Sequence, residues 1–339
     1  MELAKPDWFP TAIRALLAGE QLDTGITIAA FRDLLAGRVD DAYASAFLTA
    51  LRMRGERPGE IAAAALTLRE QMTRLVPVSG PVVDTCGTGG DDLGTFNIST
   101  AAAFVVAGAG LPVVKHGNRA VSSRSGSADV LRELGVPIDT GIEWAQRCLD
   151  RIGFAFCFAP QFHPGMAHVA GLRRKLGIRT IFNLLGPLAN PAGADYQLIG
   201  VGSADLFETL TGAVAALGPR RTILVCGYDG LDEVSLAGPT RVRIVEGTQY
   251  RSVEWTRRDF GLEPVSAMEI RADGPQESAA IIRRVLDGES GPAQRIVLAN
   301  ASAAMFAANA VTTLTEGVER ADESIRSGRA KHVLEQMAT

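Results

Sequence analysis

A chain of 339 residues is long for one hydrophobic core and fits two units, one large and one small. Hydrophobic residues make up 47% and charged residues 21%, the composition of a folded globular protein, and a formal net charge of -4 argues against a general nucleic-acid binder, which carries a basic surface. The longest apolar run, Ala101 to Val114, is rich in Gly and Ala and shorter than the ~20 residues of a membrane span, so no membrane partner is expected.

The N-terminal stretch MELAKPDWFPTAIRALL carries early acidic residues and no long apolar core, so it does not read as a signal peptide. Residues 8–74 then read as helices only. Tyr43, Phe47, Ala50 and Leu51 share one helical face, and Ile61 to Met72 forms another apolar-periodic segment. Val76-Pro77-Val78-Ser79-Gly80-Pro81 reads as a linker. From residue 82 strands and helices alternate, with candidate strands Val82–Asp84, Pro112–Lys115, Phe154–Phe158, Gln197–Val201 and Thr222–Cys226 and helices that include Glu143–Ile152 and Ala204–Leu217. The fold class expected is α/β: a mainly parallel sheet flanked by helices, with a smaller all-α N-terminal domain. Pro164–Leu185 interrupts this alternation with a helical pattern. Arg241 to Glu254, rich in Val and Arg, suits antiparallel edge strands, and 276–287, 294–309 and 315–338 return to helix. The four cysteines (Cys86, Cys148, Cys157 and Cys226) lie far apart, form no C-x-x-C and read as free thiols of a reducing cytoplasm.

The chemistry concentrates between Pro81 and Gly135. The apolar pair Val82-Val83 breaks into Gly87-Thr88-Gly89-Gly90, and Ser99-Thr100 reads as the N-cap of a helix through Ala101–Val106. A second apolar run, Pro112–Val114, breaks into Lys115-His116-Gly117-Asn118-Arg119, with Ser122, Ser123, Ser125 and Ser127 before a helix at Ala128–Leu134. Single glycine turns need no ligand. Two such loops, each leading into a helix and carrying Lys, Arg, Asn and serines, point to backbone amides that hold anions, and to a ligand with phosphates at both ends. The spacing is neither a P-loop nor a dinucleotide fingerprint.

GTGGD at Gly87–Asp91, NIST at Asn97–Thr100, KHGNRAVSS at Lys115–Ser123, SGSADVL at Ser125–Leu131, RTIFNLLGPLANP at Arg179–Pro191 and DGLDE at Asp229–Glu233 resemble the anthranilate phosphoribosyltransferases of tryptophan biosynthesis. The resemblance runs through nearly the whole chain in the family's order. It implies transfer of the phosphoribosyl group of phosphoribosyl pyrophosphate (PRPP) to the amine of anthranilate. It also implies a smaller domain built from 1–76 and about 164–186, and an α/β domain over 81–339.

Such a transfer needs anion loops, a divalent metal and a shaped slot for the acceptor, and no covalent nucleophile from the protein, so no catalytic nucleophile is assigned. By the resemblance, Gly87, Gly90, Asp91, Thr95, Asn97, Ile98, Ser99 and Thr100 hold the pyrophosphate and ribose. Lys115, His116, Gly117, Asn118, Arg119, Ala120, Val121, Ser122, Ser123 and Ser127 hold the rest of PRPP. Asp232-Glu233 places adjacent carboxylates on a loop after a strand, an oxygen donor set suited to Mg²⁺. Ser99 is the third metal ligand that the resemblance implies. The acceptor carboxylate wants a planar two-point donor. Arg173 in VAGLRRKLG matches the family's arginine for that role, with Gly87 and Asn118 beside it. His163, in FAPQFHPGM, falls where the family's acceptor channel begins. Its spacing of five from His168 does not make a zinc pair.

The acceptor side departs from the family. Gly165 stands where HPAM is common, and Gly171-Leu172 where VAPVR is, so both glycines are expected to loosen the channel. Three rivals remain open: a family member with another aromatic amine, a same-fold nucleoside phosphorylase, and a nucleic-acid-binding relative. Phe31, Leu34, Phe47 and Leu51 read as more apolar surface than a small helical unit buries alone, so a homodimer through that unit is expected, as the resemblance also implies.

Overall fold

The computed structural model describes residues 5–76, 80–120 and 125–338. Four helices come first: α1 (Phe9–Leu17), α2 (Thr24–Leu35), α3 (Asp41–Arg54) and α4 (Pro58–Glu70). Asp23 and Asp40 cap α2 and α3 by accepting from first-turn amides. Then β1 (Val83–Gly87), α5 (Ile98–Gly108), β2 (Val113–Gly117), α6 (Ser127–Glu133), α7 (Ile142–Ile152) and β3 (Phe154–Phe158) alternate. The helical interruption is α8 (Ala159–Phe162), α9 (Met166–Leu176) and α10 (Phe182–Leu185). The rest runs β4 (Tyr196–Gly200), α11 (Ala204–Leu217), β5 (Arg221–Gly227), β6 (Thr240–Glu246), β7 (Gln249–Trp255), α12 (Arg257–Phe260), α13 (Pro275–Leu286), α14 (Pro292–Ala307), α15 (Leu314–Arg326) and α16 (Arg329–Met337).

The strands form one sheet in the order β3-β2-β1-β4-β5-β6-β7. Pairing is parallel from β3 through β5 and antiparallel for β6 and β7, so the edge hairpin expected from Arg241–Glu254 is present. Side chains alternate across the sheet. Ile223 and Val225 of β5 face a core made with α5, α6 and α13 to α16. Leu224 and Cys226 face a second core with α11, α1 to α4, α9 and α10. The chain order reverses between β1 and β4, and the loops leaving such a switch point at the carboxyl ends of parallel strands enclose a crevice.

Four local expectations are corrected. The first two parallel strands reach two or three residues beyond the expected ends, because Thr85 to Gly87 pair with Leu198 to Gly200, and His116 and Gly117 with Cys157 and Phe158. His116 and Gly117 are therefore strand residues rather than loop residues, and Lys115 lies within the strand rather than at its end. The helix after the first loop starts at Ile98 with Asn97 at its N-cap, so Ser99 and Thr100 lie inside its first turn. The segment 315–338 is two helices, broken at Gly328 with φ of 76°. Finally, Phe31, Leu34, Phe47 and Leu51 are buried within the single chain. Phe182 of α10 lies 5.4 Å from Phe31 between ring centroids, and Val169 and Leu172 of α9 join the same core. Their burial needs no second chain.

Candidate active site

At the carboxyl edge of β1, β2 and β4, a cavity of about 620 Å³ opens between the sheet and the helical part. Two kinds of wall meet in it.

The first wall is built from strand ends and the turns that follow them. Gly87 lets Asp232 come close: a Cβ there would stand 2.7 Å from Asp232 Oδ2 and push that carboxyl aside. The turn after it is held at several points: Thr88 N donates to Gly200 O (2.9 Å), Gly89 N to Asp232 Oδ2 (2.9 Å), and Arg179 Nη2 to Thr88 O (3.1 Å) and Gly89 O (3.4 Å). The second loop is tied to the first through Asn97, whose Oδ1 accepts from Ser125 Oγ at 2.9 Å and from Ser278 Oγ at 3.0 Å. Asp129 shapes that loop from inside, accepting from Ala120 N (2.9 Å) and Gly126 N (3.1 Å). No sequence signal had marked Asp129 or Arg179, although both lie in quoted motifs.

Below this wall is a cluster of buried charge. Lys115, 1% exposed, donates to Thr85 O (2.5 Å) and Ser99 Oγ (3.2 Å) rather than projecting from a loop. Glu233 Oε1 accepts from Ser99 N (3.0 Å). Burial, then the nearby Asp91, pushes the Asp232 carboxyl up to about 7. Burial and Asp232 push Glu233 well above the carboxylate range. Asp91 Oδ2 is buried without a partner in the chain. Two acidic groups raised by burial and mutual repulsion, beside a third with an orphaned oxygen, fit a cation. Among the described residues no three His, Cys, Asp or Glu side chains converge as a complete metal site, so such a cation would draw further ligands from Ser99, substrate or water.

The second wall is helical and mostly apolar: Leu68, Ala159, Met166, Ala170 and Phe182 line it with His116, His163 and Arg173. The two imidazole rings lie 4.9 Å apart. His116 Nδ1 pairs with Gly186 O at 2.9 Å, which makes Nδ1 the protonated nitrogen and leaves Nε2 as an acceptor without a partner. Burial, then the neighbouring His163, lowers His116 to about 3. Burial lowers His163 to about 4. Both are neutral at pH 7. Burial also lowers Arg173, whose guanidinium lies 5.6 Å from the centre of the Phe182 ring. His168 is apart from this pair, exposed, and packed against Gly37.

Gly87, Gly90, Asp91, Thr95, Asn97, Ile98, Ser99, Lys115 to Ala120, Ser127, His163, Arg173, Asp232 and Glu233 all line the one cavity. Thr100 does not; its side chain is fully buried behind the first turn of α5. Val121, Ser122 and Ser123 lie outside the described residues, as do linker residues 77–79. The glycines expected to loosen the acceptor wall behave differently. A Cβ at Gly165 would meet Leu35 O at 2.9 Å, so Gly165 lets the turn before α9 close on the end of α2. Gly171 faces open space within α9.

Residues 79–331 match a family described as "Glycosyl transferase family, a/b domain", and residues 10–72 match its helical bundle domain. The chain is 47% identical to an anthranilate phosphoribosyltransferase of Moorella thermoacetica over 96% of each sequence. The chain belongs to the anthranilate phosphoribosyltransferase family. A solved anthranilate phosphoribosyltransferase from Thermus thermophilus superposes with a TM-score of 0.89 at 42% identity, covering 96% of this chain and 98% of that one. One from Saccharomyces cerevisiae, solved in complex with PRPP and Mg, gives 0.89 at 31% identity over 98% and 97%. Anthranilate phosphoribosyltransferases thus share this chain's helical unit and its sheet as one arrangement along their whole length.

Proposed function

We propose that this chain transfers the phosphoribosyl group of PRPP to the amine of anthranilate, giving N-(5-phosphoribosyl)anthranilate and pyrophosphate. The observation that carries the reading is the meeting, in one cavity, of two amide-rich anion turns with an arginine on an apolar wall. In the reaction, C1–O of PRPP breaks and C1–N forms, so positive charge develops on the ribose while negative charge collects on the pyrophosphate. The protein's part is positioning and electrostatic stabilisation.

The turns at Gly87–Asp91 and Lys115–Ala120, with Thr95, Asn97 to Ser99 and Ser127, would receive PRPP, and by the family resemblance Val121, Ser122 and Ser123 would take part. Asp232 and Glu233 with Ser99 would hold Mg²⁺, which neutralises charge on the pyrophosphate while it is bound. Arg173 would take the acceptor carboxylate. Asn118 and Gly87 would border the amine, and the neutral His116 and His163 would give the ring a slot without adding charge. The amine is already neutral at pH 7, so no strong base is required, and its proton leaves to a neutral acceptor such as His116 Nε2 or to water.

We also place residues 1–76 with about 164–186 in the smaller domain and 81–339 in the phosphoribosyl-binding one. The acting form would be a homodimer through the helical part, where Leu17 (79% exposed) and Met53 (84% exposed) lie open on α1 and α3. A cytoplasmic location suits four buried free thiols. No helix among the described residues is long and apolar enough to cross a membrane.

The test is turnover with PRPP, Mg²⁺ and a panel of aminobenzoates. Anthranilate should be the preferred acceptor. Consumption of PRPP with a carboxylate-free amine, at rates that match anthranilate, would overturn the acceptor assignment alone.

A further inference from the structure

Arg179 belongs to the helical piece that carries the acceptor wall, six residues beyond Arg173, yet its guanidinium reaches the donor turn. Its Nη2 donates to Thr88 O at 3.1 Å and Gly89 O at 3.4 Å. The fit is close: a Cβ on Gly90 would lie 1.7 Å from Arg179 Nη1, so the glycine leaves the space that the guanidinium fills. In a trans peptide the N–H points opposite to the C=O of the same unit. Holding the Thr88 carbonyl therefore directs the Gly89 N–H away from Arg179, and that N–H does meet Asp232 Oδ2 at 2.9 Å. By the same geometry, holding the Gly89 carbonyl turns the Gly90 N–H from Arg179. The turn is gripped from two sides, carbonyls by a cation and one amide by a carboxylate. Besides these two, the flexible Gly-Thr-Gly-Gly run has the Thr88 hydroxyl, which accepts from Gly202 N at 3.3 Å and reaches Gly89 O at 3.2 Å; only Arg179 holds two successive carbonyls of the run.

We propose that Arg179 is a positioning residue of the donor site: it sets the peptide planes of Thr88–Gly90 so that their amides face the phosphate and metal side of the cavity. The inference rests on the PRPP reading above. It also makes the donor turn dependent on the segment that carries Arg173, so the two substrate sites share one mechanical link.

The experiment uses the full-length chain with Arg179→Ala and Arg179→Lys. Three quantities are read: hydrogen exchange across residues 87–91 without ligand, PRPP binding with Mg²⁺ by calorimetry, and separate KM values for PRPP and anthranilate. Arg179→Ala should speed exchange in the turn and weaken PRPP on the order of ten- to a hundredfold, the effect of losing charge-assisted hydrogen bonds, while the anthranilate KM moves less than about threefold. Added guanidinium should restore part of the PRPP affinity, which a purely structural defect would not allow. Arg179→Lys, which keeps the charge and one donor, should fall between, and it carries the test where the alanine variant does not fold. Unchanged exchange in the turn would overturn the proposal even if PRPP affinity fell, since that result means a direct contact. An anthranilate KM that rises as much as the PRPP value would overturn it too. Exchange is measured without substrate, so a chain that proved unable to use PRPP would sink the functional reading while the loop result still judged Arg179.

Discussion

The two ends of the cavity are made of different material. The proposed donor end is backbone: the turns that follow Gly87 and Gly117, fixed by the register of a parallel sheet, by the buried Lys115 and Glu233 and by the half-buried Asp129. The acceptor end is side chain: apolar groups on α4, α8 and α9, two neutral imidazoles and one guanidinium. A site made of amides on strand ends resists change, because moving one peptide moves the sheet. A site made of side chains on short helices accepts substitution one residue at a time. The departures in this chain, Gly165 and Gly171, fall on the acceptor end, where the architecture tolerates them.

The sharpest break of this contrast is at the carboxylates. Asp232→Asn and Glu233→Gln should each lower kcat on the order of a thousandfold or more, the scale of losing a main electrostatic stabiliser of the departing group. An excess of chelator should do the same to the unmodified chain. The fold should survive, and the melting temperature in chelator should rise, because each substitution removes a carboxyl that ionises freely in the unfolded chain and whose charged form burial disfavours in the fold. A variant with full turnover would show that the donor end works without its acidic floor.

A second test charges the acceptor end. In the unfolded chain both imidazoles protonate near the ordinary histidine value of 6.5, whereas in the fold His163 waits until about 4 and His116 until about 3. These depressed values mean that stability is complete above about pH 6.5 and is lost as pH falls through that window. The loss reaches a few kcal/mol, since one pKa unit is about 1.4 kcal/mol. Asp232 and Glu233 titrate with the opposite sign, because their folded values are raised. The informative quantity is therefore the difference in unfolding free energy between the wild type and a His116→Asn/His163→Leu variant, measured from pH 7 to pH 4. Parallel curves would mean that the imidazoles are not held neutral by the apolar wall.

Arg173→Ala separates the ends kinetically. A charge-assisted contact contributes about 1.5–3 kcal/mol, so the anthranilate KM should rise about ten- to a hundredfold while the PRPP KM stays near its original value. Equal damage to both would make Arg173 part of the link between the ends rather than an acceptor ligand.

How much of this was legible follows the same division. Motif order and alternation gave the sheet, because buried parallel strands such as Phe154–Phe158 are continuous apolar runs bounded by glycine. Strand ends are hard to see where they turn polar: His116 and Gly117 look like loop residues until pairing with Cys157 and Phe158 makes them strand. Ser99 and Thr100 look like caps, but Asn97 precedes them and starts the helix. Phe31 and Phe47 look surplus because Phe182, the ring that completes their cluster, lies far along the chain. Arg179 was invisible for a similar reason. Its role depends on an approach to Gly90 that only the folded chain makes, and in sequence it is one of several basic residues.

The smallest predicted effects test the two glycines that looked alike in sequence. Gly171 is a helix-interior glycine with open space where a Cβ would stand, so Gly171→Ala should stabilise the chain by up to about 1 kcal/mol through helix propensity and leave both KM values unchanged. Gly165 precedes α9 with ordinary helical angles, φ of -60° and ψ of -25°, so its backbone does not demand glycine. Its surroundings do, because the added Cβ would lie 2.9 Å from the Leu35 carbonyl oxygen and 3.2 Å from Leu35 Cβ. Backbone cannot rotate away as a side-chain tip can, so Gly165→Ala should cost about 1–3 kcal/mol as overpacking, read as a lower denaturant midpoint. The shift should push the turn that carries His163 and Met166 outward, raising the KM for anthranilate by a few fold and leaving that for PRPP alone. If Gly165→Ala were neutral and Gly171→Ala destabilising, the acceptor wall would be looser at α2 and tighter along α9 than the packing of Leu35 against Gly165 requires.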